Sequence, residues 1–376
     1  MPAGGKDKGT SSYGRQNGMG RLRRNNLKQV GRLSNWERFD EDDEAFDRHG
    51  SIDRVSHAGE RLVAQFNRLV ALGKAARRPG EPAEVCEVRP GVVQVRFADG
   101  REASAAMRRS LEKRMVGVRN TIAVGDRVRI ENTAGGLAIA GIEPRANQLA
   151  RTDAHNRSLE HVLAANVDLL IAVAAVREPD FKHGFVDRAL LLAAAHGIAG
   201  AVVVTKRDLG DPGPMIGLYA AVGLPCIGVD ARDAKDPGIE TLRALLYGKA
   251  CVFAGQSGVG KSSLVNACFP KLAVRVGDVA EQGFGRHTTT AARSFLLPGG
   301  GRLIDTPGIR ECVVGGLEAP DVALLYPDLA RFQPECHFQD CTHRHEPDCA
   351  VLKAVEDGLI APSRYWSYRS IVDGEE

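Results

Sequence analysis

Residues 255–263 constrain the fold of this chain more than any other stretch. They have the sequence Gly-Gln-Ser-Gly-Val-Gly-Lys-Ser-Ser and match the phosphate-binding pattern G-x-x-x-x-G-K-S/T. The apolar run 251–254 precedes them and is typical of a buried strand, whereas residues 264–267 are compatible with a helix. A glycine-rich turn between strand and helix lets backbone N–H groups approach phosphate, and the helix N-terminus favours negative charge. The stretch predicts a nucleotide-phosphate site, and a chance glycine-rich turn is the weaker alternative.

Two residues of this phosphate-binding loop have expected chemical roles. We expect the Lys261 ammonium to reach the β- and γ-phosphates and the Ser262 hydroxyl to ligate Mg²⁺. Downstream, Asp305 begins an Asp-Thr-Pro-Gly sequence and suits a carboxylate that holds Mg²⁺ through water, while the Gly308 N–H can sense the γ-phosphate. The residues of the loop predicted to bind the nucleotide are Gly255, Gln256, Ser257, Gly258, Val259, Gly260, Lys261, Ser262 and Ser263.

A threonine-rich segment, 285–290, lies between these two motifs and is predicted to be a switch segment. A threonine there can complete the Mg²⁺ shell, and the spacing favours Thr289 and then Thr288. Ile309 stands where Ras-like GTPases place a water-orienting Gln, and because an isoleucine cannot polarise water we expect slow intrinsic hydrolysis. His287 or a group from a partner is the candidate replacement, with a loop or RNA-contacting role for His287 weighted equally.

A base-reading motif lies upstream of the phosphate-binding loop, as Thr205-Lys206-Arg207-Asp208. The Asp208 carboxylate can accept hydrogen bonds from guanine N1–H and N2–H₂, a donor pair that adenine lacks. We expect the Lys206 stem to lie along the purine, and Thr205 to brace the loop less well than the commoner Asn. The sequence at 229–231 only partly matches a loop that contacts guanine O6, since Asp230 stands where a small hydroxyl is typical.

The order of these motifs is a circular permutation of the usual GTPase order. From residue 168 apolar strands alternate with helical segments, which predicts a doubly wound parallel α/β sheet in a domain spanning 144–315. Permutation is compatible with such a sheet because packing does not depend on where the termini fall. We expect strands at 169–176, 201–205, 225–229, 251–254 and 302–304 and helices at 187–196, 214–222 and 239–246.

Short strands punctuated by glycine predict a small OB-like β-barrel over residues 83–143. We expect strands at 84–88, 92–97, 124–130 and 137–142. Barrels of this type often bind nucleic acid through one face, an inference from fold analogy alone. The segment is basic, with Arg96, Arg101, Arg108, Arg109, Lys113, Arg114, Arg119, Arg127 and Arg129.

Residues 1–50 are basic and then acidic, and they lack the apolar content to fold alone. Residues 1–32 carry eight Lys or Arg against one Asp, and six acidic residues lie within 40–47. We favour a disordered nucleic-acid-binding arm over a merely solvated terminus. Residues 51–82 show helical spacing of apolar side chains and are predicted to form a docking helix or linker.

Three cysteines and a histidine cluster near the C-terminus, in the pattern Cys336-x₄-Cys341-x-His343-x₅-Cys349. Cys₃His is a common tetrahedral structural zinc set, so we predict one structural Zn²⁺ in a helical domain spanning 316–376. His337 and His345 compete with His343, and unpaired buried thiols are the alternative. Helices are expected at 351–358 and 363–371. The second is rich in Arg and aromatic residues, which suit RNA stacking and core packing equally well.

The composition of the chain limits its class. With 376 residues, 43% hydrophobic and 26% charged, it is ordinary for a soluble protein of two or three domains. No signal peptide is visible, and the longest apolar runs, near 162–176 and 189–205, are broken by polar residues or glycine. We expect a cytoplasmic protein without a membrane span, in a reducing compartment.

These motifs together resemble the RsgA/YjeQ family of circularly permuted, small-ribosomal-subunit-dependent GTPases. The resemblance covers about residues 83–372 and rests on the segments 144–151, 165–168, 205–209, 285–290 and 336–350. It implies a multidomain protein that binds the 30S subunit and 16S rRNA, uses GTP/GDP, Mg²⁺ and one Zn²⁺, and acts in late 30S maturation. It also implies ribosome-stimulated hydrolysis that drives release. We expect a monomer, and the alternative function is a nucleotide-gated RNA-binding assembly module with negligible catalysis.

Overall fold

The structure is a computed structural model. It describes residues 63–64, 66–68, 70–71, 80–89, 91–108, 111, 122–152, 160–272, 292–306, 317 and 319–374. The predicted arm over 1–50 and the threonine-rich segment 285–290 lie outside these residues. Within the part of the chain that is described, no helix is long and apolar enough to cross a membrane.

Five strands form a closed barrel and confirm the OB-like prediction. They are β1 (Glu81–Arg89), β2 (Val92–Phe97), β3 (Glu102–Met107), β4 (Arg127–Thr133) and β5 (Gly136–Ile142). The order around the barrel is β1-β2-β3-β5-β4 with β4 returning to β1, and only the β3–β5 pair is parallel. Alternate apolar side chains, such as Val85, Val95 and Ile139, point inward and are fully buried. The barrel is therefore filled by side chains.

The predicted strand at 124–130 begins three residues too early. Gly125 has φ +93°, and a Cβ added to it would lie 2.1 Å from the Ala165 carbonyl oxygen. Asp126 accepts a hydrogen bond from Ala123 N at 2.8 Å and so closes a tight turn. The chain becomes extended only at Arg127, because the turn packs directly against residue 165.

Part of the predicted docking helix packs into this barrel. The described residues at 63–64, 66–68 and 70–71 are helical, and Phe66 and Val70 are buried in the barrel core. The Arg145 guanidinium lies 3.7 Å from the Phe66 ring centroid, and Asn67 exchanges two hydrogen bonds with the Arg145 backbone. This helical segment contributes to the barrel core.

A six-stranded sheet confirms the predicted permuted GTPase fold. Its strands are β8 (Leu169–Ala175), β9 (Ala199–Thr205), β10 (Cys226–Val229), β11 (Ala250–Gly255), β12 (Ala292–Leu296) and β13 (Arg302–Asp305). The order is β10-β9-β8-β11-β13-β12, and β12 alone is antiparallel to its neighbour. Two apolar clusters cover the two faces, since successive residues of β8 point to opposite sides.

The helices that cover this sheet follow its strands in turn. They are α1 (His183–Ala195), α2 (Gly213–Ala220), α3 (Pro237–Leu246) and α4 (Lys261–Cys268). A hairpin of β6 (Gln148–Thr152) and β7 (Glu160–Ala165) precedes β8 and was not predicted. On the other side, β12 pairs with β1 at Glu87↔Arg293 and Val88↔Ala292. The GTPase sheet and the barrel are thus continuous through hydrogen-bonded strands.

The C-terminal domain is helical, as predicted. It contains α5 (Ala319–Leu324), α6 (Pro327–Ala330), α7 (Ala350–Glu356) and α8 (Pro362–Asp373). Its core includes Tyr365 and Tyr368 together with Leu191 from α1 of the GTPase domain. Arg364, Tyr365 and Tyr368 are buried, so core packing rather than RNA stacking accounts for them.

Candidate functional site

The parallel strands bring the predicted nucleotide residues to one edge of the sheet. Thr205 ends β9, Gly255 ends β11 and Asp305 ends β13. These strands run in the same direction, with β9 and β11 flanking β8 and β13 beside β11. Their carboxyl ends therefore lie at the same edge, where open α/β sheets bind ligands. The edge unites motifs that are up to one hundred residues apart in the sequence.

The backbone of the phosphate-binding loop has the conformation that its glycines permit. Gly258 has φ +79° and Gly260 has φ +90°, values that L side chains rarely adopt. A Cβ at Gly255 would lie 2.7 Å from the Val173 carbonyl oxygen and 3.2 Å from Lys261 Cδ. Helix α4 begins at Lys261, directly after the turn. The loop fits a phosphate chain because its N–H groups are presented without Cβ atoms at these positions.

The Lys261 side chain folds back and donates hydrogen bonds to the phosphate-binding loop. Its Nζ donates to the Gly255 carbonyl at 2.7 Å and to the Gln256 carbonyl at 2.8 Å. Both acceptors are neutral, whereas nucleotide phosphates are anionic and make stronger charge-assisted hydrogen bonds. The ammonium is thus held within the loop, with partners that phosphate oxygens can replace.

Thr205 connects the base-reading motif to the phosphate-binding loop. Its Oγ1 lies 2.5 Å from the Val259 carbonyl oxygen and 3.2 Å from the Ala174 carbonyl oxygen. The side chain is 1% exposed, so these contacts are shielded from water. A threonine at this position therefore ties the end of β9 to both β8 and the loop.

Asp208 and Lys206 occupy the turn after β9. Lys206 adopts a left-handed backbone conformation, φ +56°, and its Nζ donates to the Glu178 carbonyl. The Asp208 side chain is 16% exposed and forms an ion pair with Arg232. Arg232 also lies 3.5 Å from Asp230 Oδ1. The sequence predicted Asp208 and the misfit at Asp230, but not the Arg232 contact, which follows from strand register.

Asp305 lies at the end of β13 and is half-buried. Register pairs Val252 of β11 with Ile304, so Asp305 follows the point where β13 runs beside the strand that leads into the phosphate-binding loop. Thr306 is buried, and its hydroxyl has no hydrogen-bond partner among the described residues. Gly308, Ile309, His287, Thr288 and Thr289 lie outside the described residues, so their roles stay predictions.

The cysteine cluster converges as the spacing predicts. The ligand atoms of Cys336, Cys341, His343 and Cys349 all lie within 4.8 Å of one another. The Sγ atoms of Cys336 and Cys349 are 3.8 Å apart, and His343 Nδ1 lies 3.6 Å and 3.4 Å from them. For tetrahedral Zn²⁺ with Zn–S of about 2.3 Å and Zn–N of about 2.0 Å, these edges would be roughly 3.8 Å and 3.5 Å. The residues fit a zinc ion, and His343 is the histidine that converges.

The electrostatics of this cluster suit a cation. Burial lowers the pKa of His343 to about 4, so its ring is neutral near pH 7 and can offer a nitrogen lone pair. Burial raises the pKa of the Cys341 and Cys349 thiols, so thiolates at these positions need a positive charge beside them. A divalent metal supplies that charge.

Three of the barrel arginines that the structure describes form ion pairs that reduce their availability to a ligand, whereas Arg101 and Arg127 are exposed. Arg96 is 9% exposed and bonds to Glu102 and to the Ser294 carbonyl. Arg108 pairs with Glu131, and Arg129 pairs with Glu143. These three side chains therefore make contacts within the protein, because each pairs with a carboxylate.

A buried charged cluster joins the GTPase domain to the C-terminal domain. Arg364 of α8 is 2% exposed, lies 2.5 Å from Asp187 of α1, and bonds Asp328 at 3.0 and 2.9 Å. Its guanidinium also lies 4.5 Å from the Tyr326 ring centroid. Burial lowers the pKa of Arg364, but the Asp187 and Asp328 carboxylates raise it more, so the guanidinium stays charged. Burial raises the pKa of Asp187. No local sequence pattern predicts this contact, since Asp187, Asp328 and Arg364 are far apart in the chain.

Comparison with known proteins places these features in one family. The model for the RsgA GTPase family matches residues 142–314. A relative from Bacteroides fragilis, named "Small ribosomal subunit biogenesis GTPase RsgA", is 38% identical over 273 residues, which cover 70% of this chain and 87% of the relative. A protein of the same name from Azotobacter vinelandii is 40% identical over 289 residues, which cover 74% and 81%.

Two solved structures share the fold. YjeQ from Thermotoga maritima superposes with a TM-score of 0.63 at 29% identity, covering 78% of this chain and 98% of that one. YloQ, described as a circularly permuted GTPase, has a TM-score of 0.59 at 25% identity, covering 80% of this chain and 98% of that one. The similarity therefore extends over all but a small part of each relative.

Proposed function

Because the chain belongs to the RsgA family of GTPases, we propose that it hydrolyses GTP in the biogenesis of the small ribosomal subunit. One observation carries the proposal. A base-reading motif, a phosphate-binding loop and an Asp305 carboxylate meet at one sheet edge in permuted order. Relatives that are 38% and 40% identical to the chain are named small ribosomal subunit biogenesis GTPases, and the similar structure YloQ is described as a circularly permuted GTPase.

The proposed mechanism assigns the described residues to binding and orientation. Asp208 selects guanine, Thr205 fixes the loop, and Lys261 leaves the loop carbonyls to neutralise charge on the β- and γ-phosphates. Ser262 and Thr289 are the proposed Mg²⁺ ligands, with Asp305 acting through water. The Mg²⁺ ion, when bound, neutralises charge on the transferring phosphoryl group.

The residue at position 309 cannot orient the attacking water. Ile309 offers no hydrogen bond to water, so the isolated protein should turn over slowly. We propose that His287 or a group supplied by the ribosome orients the water. Ribosome-stimulated hydrolysis follows from this, since binding would complete the catalytic set and then drive release.

We propose the 30S subunit at a late stage of maturation as the partner, with 16S rRNA contacted by the barrel and the zinc domain. A monomer in the cytoplasm is consistent with that role. The single Zn²⁺ would hold the C-terminal helices through Cys336, Cys341, His343 and Cys349. The basic arm at 1–32 is a further candidate for rRNA contact. Its deletion should weaken 30S binding mainly at low salt, where phosphate contacts are strongest.

The test is GTP hydrolysis by the purified full-length protein, measured alone, with 30S subunits, and with 50S subunits as control. We expect slow turnover alone and with 50S, and strong stimulation by 30S. His287→Ala then separates the two sources of the missing group, because loss of stimulation with unchanged 30S binding assigns it to His287.

Equal slow rates in all three reactions would contradict the enzyme proposal. The chain would then be a nucleotide-gated RNA-binding assembly module. In that case, 30S particles would mature normally with a Ser262→Ala variant that cannot turn over GTP.

A further inference from the structure

Arg232 lies at the base-reading end of the site and contacts two carboxylates at once. It forms an ion pair with Asp208 Oδ2, and its Nε lies 3.5 Å from Asp230 Oδ1. The Arg232 side chain is 69% exposed, whereas the Asp208 and Asp230 side chains are 16% and 20% exposed. One exposed cation thus bridges two carboxylates that are largely buried.

The sheet fixes this arrangement. Strands β9 and β10 are parallel neighbours, and their register pairs Thr205 with Val229 at their ends. Asp208 is three residues beyond Thr205, and Arg232 is three residues beyond Val229, so the two turns lie side by side. Asp230 Oδ1 also accepts a hydrogen bond from Arg232 N at 2.9 Å, which holds the second turn in place. The contact between Arg232 and Asp208 therefore follows from strand register.

Guanine and Arg232 compete for the same group. A guanine base offers N1–H and N2–H₂ to the two oxygens of one carboxylate. Arg232 already makes a charge-assisted contact to Oδ2 of Asp208, so the base must displace it or share a crowded oxygen. The displaced guanidinium has a partner within reach, since Asp230 stands where this loop would ordinarily carry an uncharged residue.

We propose that Arg232 is a specificity-determining residue that holds Asp208 while the base site is empty and moves to Asp230 when guanine binds. The proposal rests on the function proposed above, in which Asp208 reads guanine. It gives Asp230 a role as the counter-ion of the displaced arginine. Removal of Arg232 and removal of the Asp230 charge then have opposite effects on nucleotide affinity.

The test measures binding of N-methylanthraniloyl-GDP to the full-length protein by fluorescence. For Arg232→Gln we expect Kd to fall about two- to fivefold, the range of an exposed ion pair. For Asp230→Asn we expect Kd to rise about twofold, because Asn keeps the turn acceptor but holds Arg232 less strongly. The double variant should match Arg232→Gln. The difference between wild type and Arg232→Gln should shrink as salt rises, since the pair is exposed.

Lys235→Gln is the matched control, because Lys235 is an exposed cation three residues beyond Arg232 and lies outside the base-reading motif. Its removal should leave Kd unchanged if the effect at Arg232 comes from Asp208 and not from the loss of one positive charge near the site. In an Asp208→Asn background, Arg232→Gln should no longer change the affinity for N-methylanthraniloyl-XDP.

The result that overturns the proposal is an Arg232→Gln variant that binds the GDP probe as weakly as wild type or more weakly. An Asp230→Asn variant that binds more tightly would do the same. A wild-type protein that binds GDP no better than ADP would instead overturn the base assignment and, with it, the proposed function. The two failures are therefore distinguishable in one set of titrations.

Discussion

The nucleotide site and the zinc cluster are built in opposite ways. The residues of the nucleotide site come from positions 205 to 305 and lie at one edge of the sheet. The Lys261 ammonium there donates to carbonyl groups of the loop, which phosphate oxygens can replace. The zinc cluster lies within 336–349, and its four ligand atoms already face one another. The sheet positions the residues of the first site, whereas one short segment supplies all four candidate metal ligands of the second.

Removal of the metal should have the largest effect of any change. Cys349→Ser removes one of the four proposed zinc ligands from a domain with a small core, and structural zinc contributes about 10 kcal/mol or more to small zinc domains. We expect loss of one equivalent of zinc and proteolytic sensitivity beyond residue 316. GDP affinity should change less than about threefold, a difference of roughly 0.6 kcal/mol. Zinc content, limited proteolysis and GDP titration measure these three outcomes.

Cys226→Ser is the control, because Cys226 is half-buried and lies outside the cluster. It should retain zinc. A Cys349→Ser protein that keeps a protease-resistant C-terminal domain would contradict this prediction, because the domain would then fold without the metal.

Disruption of the buried charged cluster around Arg364 should have the next largest effect on stability. Arg364→Met leaves Asp187 and Asp328 buried without a cation, and breaking a buried pair costs about 3–5 kcal/mol. We expect a lower urea midpoint in the transition reported by Trp366, which lies on α8. Arg369→Met is the control and should cost far less, since the acidic partner of Arg369 among the described residues is Asp373, one turn further along the same helix. Equal urea midpoints for the two variants would show that the buried charged cluster around Arg364 does not stabilise the contact between the two domains.

Loss of the Lys261 ammonium should affect the nucleotide site and leave the C-terminal domain unchanged. Lys261→Ala should lower the 30S-stimulated rate about 10²–10³-fold, the scale for one electrostatic group acting on developing charge. Zinc content and the Trp366 transition should not change. Lys271→Ala, an exposed lysine just beyond α4, serves as the control and should hydrolyse GTP normally. An undiminished rate for Lys261→Ala would remove the loop from the mechanism.

Local patterns explain what the sequence could predict. The phosphate-binding loop, the zinc ligands and the permuted strand order depend on short spacings and on apolar runs, and the structure places them as expected. The rest depends on contacts between distant residues. The late start of β4 follows from Gly125 against residue 165, and the Arg364 cluster joins positions 187, 328 and 364. The Arg232 contact needs the register of two strands, which no local pattern specifies.

Basic composition alone does not show which arginines are free to bind a nucleic acid. Arg96, Arg108 and Arg129 pair with Glu102, Glu131 and Glu143, whereas Arg101 and Arg127 are exposed. A count of positive residues cannot distinguish such pairs from free charges. The positions of the side chains in the folded sheet decide whether an arginine is paired, and a count of residues does not give these positions.

The most direct test of the account is retention of the full-length protein on 30S subunits, measured by sedimentation with three nucleotides. We predict retention with a non-hydrolysable GTP analogue and release with GDP, while GTP gives retention that decays as it is hydrolysed. A Ser262→Ala variant should fail to show the decay. Equal retention with all three nucleotides would contradict the account, because the nucleotide site would then have no influence on the ribosomal partner.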